Sequence, residues 1–149
     1  VRKYSPAEMP TNHLFALRDF LRSQTDAARL ARVNEELVRR ADDVTGDRRA
    51  EVLEEWGDYL NLCQGDWESA DARYQEALKE ADAERDFGLR LKIASLTAVW
   101  QGDFAGAQAE YERTLKEVPS TARQRRMRVL TGLGDLEQAR GDLKKAQGY

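Results

Sequence analysis

One fifteen-residue string constrains this chain more than any other feature, because it occurs twice. Gln64–Leu78 reads Gln-Gly-Asp-Trp-Glu-Ser-Ala-Asp-Ala-Arg-Tyr-Gln-Glu-Ala-Leu, and Gln101–Leu115 reads Gln-Gly-Asp-Phe-Ala-Gly-Ala-Gln-Ala-Glu-Tyr-Glu-Arg-Thr-Leu. Each states a helix stop, a cap and a new amphipathic helix. Gly65 and Gly102 are suited to the left-handed conformation that ends a helix, and the Asp that follows caps the next one. Apolar side chains then recur at spacings of three and four: Phe104, Ala107, Tyr111 and Leu115 in the second string. A third start is legible at Arg140-Gly141-Asp142-Leu143. The glycines are 37 and 39 residues apart, a period that signals stacked helical hairpins.

The rest of the chain agrees with helices. Few β-branched runs and only 3 Pro in 149 residues leave little room for strands, and the length fits one domain. The stops divide it into a degenerate repeat at 11–46, repeats at 47–84 and 85–119, and a truncated one at 120–149. The spacing predicts helices over about Asn12–Ser23, Asp26–Val44 (with Thr25 as its cap), Arg48–Gln64, Trp67–Glu84, Asp86–Trp100, Phe104–Val118 and Thr121–Arg140, with an eighth opening at Leu143. Before them, Ser5-Pro6-Ala7-Glu8 has the spacing of a capping box, and Pro10 limits it to one turn. The helix after Asp86 has almost no polar face, which predicts a covered, central position. The first two helices read as a worn repeat, Ala31–Leu37 aligning with Ala72–Leu78 at a shift of 41.

These residues resemble tetratricopeptide repeats. The first helices read Trp56-Gly57 and Leu133-Gly134, a large apolar residue followed by a small one, with Ala94-Ser95 between. The turns read Gly65-Asp66-Trp67, Gly102-Asp103-Phe104 and Gly141-Asp142. The second helices read Ala70, Tyr74, Ala77-Leu78 and Ala107, Tyr111, Thr114-Leu115, and Pro119 stands where the family often closes a repeat. The period is longer than the usual 34, similar to the longer-helix members found in bacterial signalling regulators. The resemblance implies an all-α, right-handed α–α superhelix, a solenoid of antiparallel hairpins. It also implies a concave groove, lined by the first helix of each repeat, that receives a peptide or helix. Carried over residue by residue, the groove candidates are Glu54, Asp58 and Asn61, then Lys92, Leu96 and Val99, then Arg128, Thr131 and Asp135. Family members that grip a terminal carboxylate use basic residues where this chain has Glu54 and Asp58, so that clamp is not expected.

No residue constellation speaks for catalysis. His13 is the single histidine and has no Cys or His at ligand spacing, so it makes no zinc site. Cys63 is the single cysteine, falls on the face of Leu60 and Trp56, and reads as a small core residue. Glu54 and Asp58 share a helix face but read as solvated acids. Trp56, Trp67 and Trp100 fall on core or turn positions of the repeat. No Gly-rich phosphate loop and no cofactor motif is present.

Charge is unevenly spread. Residues 47–84 carry 4 Lys/Arg against 12 Asp/Glu, and residues 119–149 carry 7 against 3. The acidic stretch Glu51–Asp58 beside an apolar helix predicts a partner of basic character. Arg123, Arg125, Arg126 and Arg128 form a basic spot, but the chain as a whole is acidic, which disfavours nucleic acid. No apolar run approaches the roughly 20 residues of a membrane span. The expected function is a non-catalytic protein-interaction scaffold; the alternative is the sensor or effector arm of a larger bacterial regulator. The start without Met and the unfinished last repeat suggest a piece of a longer protein. Cytoplasmic placement is the expectation, and homodimerisation through the C-terminal end would cover Leu130, Leu133 and Leu136.

Overall fold

The computed structural model describes residues 5–147, with side chains through Lys144. Among the described residues the chain is all-α, without strands. After a single 3-10 turn at Pro6–Glu8 come α1 (Thr11–Ser23), α2 (Ala27–Arg39), α3 (Gly46–Leu62), α4 (Trp67–Leu78), α5 (Ala83–Gln101), α6 (Phe104–Glu117) and α7 (Arg123–Gln147). The chain forms two compact units, Val1–Asp86 and Phe87–Tyr149, divided near the start of α5.

The turns joining α1 to α2, α3 to α4 and α5 to α6 share one geometry. A residue with positive φ is followed by an Asp near φ −88°, ψ 77°, whose carboxylate accepts the N–H three residues on. The second and third use Gly65-Asp66 and Gly102-Asp103, with φ of 63° and 66° at glycine and bonds from the N–H of Ser69 and Gly106. The first uses Thr25-Asp26. Thr25 has φ 55°, and Asp26, rather than Thr25, is the cap, bonded by the N–H of Arg29. The worn repeat therefore keeps the turn and loses only its glycine. Aligning Asp26 with Asp66 shifts the pair by 40 residues, so Asn34 rather than Val33 stands at the place of Tyr74.

In the first unit, Leu14, Phe15, Leu21, Val33, Leu37, Val44 and Val52 form one buried cluster from α1, α2, α3 and the turn between the last two. Tyr74 of α4 is 1% exposed and lies on Gly57 of α3, where an added Cβ would be 2.6 Å from its ring. In the second unit Phe87, Ala94, Ala98, Ala107, Tyr111, Val118, Val129 and Leu136 form the core, with Phe104 and Leu133 packed against it.

Several expectations are corrected. Ser5 makes no side-chain cap. The helix read to Val44 ends at Arg39, and α4 ends at Leu78. Asp82, rather than Asp86, opens α5, its carboxylate accepting the N–H of Arg85. Gly141 ends nothing: α7 runs through it to Gln147 as one helix, and no eighth helix starts at Leu143. Gly141 does not take the positive φ of Gly65 and Gly102, so the helical hydrogen-bond ladder continues through it. Gly57 is in close contact as its small-residue place implies, but in α7 the close contact is at Gly132, where an added Cβ would be 2.6 Å from the Tyr111 ring, while around Gly134 nothing lies within 4 Å. Cys63 is exposed, since α3 ends beside it. Trp67 and Trp100 are each more than one third exposed, and Val99 of the apolar α5 is 58% exposed.

Candidate functional site

The acids of α3 are engaged within the chain. Arg18, only 2% exposed, donates to Glu55 at 2.8 Å and lies 3.5 Å from Glu51. Arg22, one turn on along α1, donates through Nε to Glu55 at 2.6 Å and through Nη2 to both Glu51 and Glu55. On another side of α3, Arg85 bonds Asp47 at 2.9 Å and Glu54 at 2.6 Å, and Asp47 also accepts the N–H of Asp82. Burial alone would push the Glu51 carboxyl up, yet the Arg22 hydrogen bond and the charges of Arg18, Arg22 and Arg85 hold it below its usual range. Asp47 is held low chiefly by the Asp82 amide, then by Arg85. The stretch expected to attract a basic partner is thus already met by guanidinium groups of this chain.

Asp58 accepts the Tyr74 hydroxyl at 2.8 Å, and Asn61 bonds the same hydroxyl. Burial first, and then the Asp58 charge, push the Tyr74 phenol far up, so it stays a donor. Of the groove residues named from the resemblance, Glu54, Asp58 and Asn61 therefore lie on α3, the last two joined at one hydroxyl. In the second unit Lys92 is half-buried, Leu96 is 3% exposed and part of the packing, and Val99 is open to solvent. The Arg128 guanidinium stands 5.2 Å from the centre of the Phe87 ring. Thr131 and Asp135 are exposed on α7, and the Asp135 charge helps raise the Tyr111 phenol after burial.

A cleft of about 200 Å³ opens between α2 and α3. Ala27, Leu30, Ala31 and Asn34 line it from α2, and Glu55, Asp58, Tyr59 and Leu62 from α3, with Cys63 at its edge. Asn34 is 1% exposed; its Nδ2 donates to Glu55 at 3.1 Å, and among the described residues its Oδ1 has no hydrogen-bond partner. A carboxylate accepts and does not donate, so the amide cannot be turned the other way round. Leu62 is 79% exposed. The sequence marks Ala31 and Asn34 as part of the worn repeat, Glu55 and Asp58 as acids of one block and Cys63 as a core position, but does not bring them together. The missing signal was the Thr25-Asp26 turn, which puts Asn34 in register with Tyr74 and Tyr111.

Among the described residues, no group of three or more His, Cys, Asp or Glu side chains is placed to hold a metal ion, and no helix is long and apolar enough to cross a membrane. Compared with protein-family models, with curated proteins and with solved structures, the chain matches none.

Proposed function

We propose that this chain is a non-catalytic interaction scaffold, a tetratricopeptide-like superhelix of antiparallel hairpins that receives a peptide or helix of a partner protein. The observation that carries the reading is the turn at Thr25-Asp26, Gly65-Asp66 and Gly102-Asp103, one backbone geometry used three times. Each turn delivers a second helix with a buried residue eight positions after the capping Asp: Asn34, Tyr74 and Tyr111. Such repetition makes an extended surface from short units, with exposed side chains left to vary between them. Val99 and Thr131, both exposed in the second unit, are the surface positions through which the proposed groove would meet its partner. Met127 and Leu130, 67% and 51% exposed on α7, are the corresponding candidates for self-association.

The test is selection of peptides from a random displayed library against the full chain. Enriched peptides should compete with one another, and Val99→Glu together with Thr131→Arg should weaken them at least tenfold, about 1.4 kcal/mol. Failure of any peptide to enrich, or binding indifferent to Val99 and Thr131 substitutions alike, would overturn the reading.

A further inference from the structure

The cleft between α2 and α3 has a counterpart in the second unit, and the counterpart is filled. Asp26 and Asp103 open equivalent turns 77 residues apart. The same separation carries Ala27 to Phe104, Asn34 to Tyr111, Glu55 to Gly132 and Tyr59 to Leu136. In the second unit the Tyr111 ring lies against Gly132, and Phe104 and Leu136 belong to the same core. Two rings therefore occupy the region that, between α2 and α3, is bounded by Ala27 and Asn34 and remains a cleft.

The first unit thus lacks aromatic volume where its equivalent has it, and one polar atom there lacks a partner. Asn34 spends its Nδ2 on Glu55 and leaves Oδ1 without a donor. A buried acceptor left unmatched is costly, so an occupant bearing a donor gains over one without. A cation is a poor candidate: Glu55, the acid that borders Asn34, is already gripped by Arg18 and Arg22, and an incoming charge would meet those two. An indole meets both needs, with a large apolar face and one N–H that only donates.

We propose that this cleft is the anchor site for a tryptophan side chain of the partner segment, its ring against Leu30, Ala31, Tyr59 and Leu62 and its N–H donating to Asn34 Oδ1. The proposal rests on the scaffold reading and names the residue that the partner inserts. Single buried aromatic anchors of this kind commonly dominate the affinity of an interface.

The experiment is a titration of the full, isotope-labelled chain with N-acetyl-tryptophanamide, followed by amide and side-chain NMR shifts. Saturable shifts should map to Ala27–Asn34 and to 55–62, the Asn34 side-chain amide among them. The N1-methylated analogue, which lacks the donor, should bind at least fivefold more weakly. Ala27→Phe, which supplies a ring as Phe104 does, should abolish binding. If that variant does not fold, Leu62→Asp at the exposed edge should weaken binding at least fivefold. Equal binding of the methylated analogue, or shifts that map elsewhere, would overturn the anchor. Library peptides that bind without tryptophan would remove the anchor and leave the scaffold standing; loss of all peptide binding removes both.

Discussion

Gly57 and Gly132 look interchangeable with Gly134 in a list of residues, yet space separates them. Glycine inside a helix ordinarily costs about 1 kcal/mol relative to alanine. At Gly134 nothing lies within 4 Å of an added Cβ, so Gly134→Ala should stabilise the chain by up to about 1 kcal/mol. At Gly57 and Gly132 the new atom would sit 2.6 Å from the rings of Tyr74 and Tyr111. Those rings are 1% and 4% exposed and cannot swing aside. Overpacking of this kind typically costs 1–3 kcal/mol, about enough to reverse the gain. Urea melts should show Gly57→Ala and Gly132→Ala less stable than the parent and Gly134→Ala more stable. The small-residue pattern was legible in the sequence; which glycine in α7 meets a ring was not. That depends on where α7 crosses Tyr111, a distance no local spacing reports.

Corner chemistry decides the elements. Gly65-Asp66 and Gly102-Asp103 were legible because glycine takes positive φ without penalty and Asp accepts the free N–H groups of a new helix. The first corner was misread by one residue because Thr25 holds φ 55° despite its branched side chain. That conformation costs an ordinary residue about 1–2 kcal/mol, against roughly 0.5–1 kcal/mol of extra chain entropy for glycine. Thr25→Gly should therefore raise stability by up to about 1.5 kcal/mol, and Gly102→Thr should lower it by a similar amount. Thermal melts of the two variants check the pair, and equal effects of one sign would show that the corners are not equivalent. Gly141-Asp142 teaches the converse. The same dipeptide lies inside α7, where Gly141 keeps a helical φ instead of the positive φ of Gly65 and Gly102. A motif of two residues was legible; the packing that makes it act lies tens of residues away. The cleft was illegible for a related reason, since it is defined by rings absent at Ala27 and Asn34.

For the molecule as a whole, the ion network around α3 predicts how acid acts. The folded chain holds Glu51 and Asp47 below their usual range, so it binds protons less readily than the unfolded chain. Their contribution is complete above the unfolded values, near pH 4, and is lost as pH falls through the folded ones. Stability followed by circular dichroism should be level from pH 7 to about 5 and fall below about pH 4. Glu51→Gln should be less stable at pH 7 and approach the parent at pH 3; a constant difference between them would show that the network adds nothing through charge. The sequence displayed the acids of α3 as one block. Their partners, Arg18, Arg22 and Arg85, sit on either side of that block in the sequence and were invisible as partners until the helices were packed.

That pairing also sets how far the charge of α3 can be felt. An acid with a guanidinium at contact distance is, to anything approaching, a short dipole whose field fades faster than that of a lone charge. At physiological ionic strength the screening distance is about 8 Å, so a diffusing molecule would have to be nearly touching α3 before Glu51, Glu54 or Glu55 pulled on it. Such a surface does little to steer encounters. Its association rates should rest on the shape met at contact and vary little with added salt.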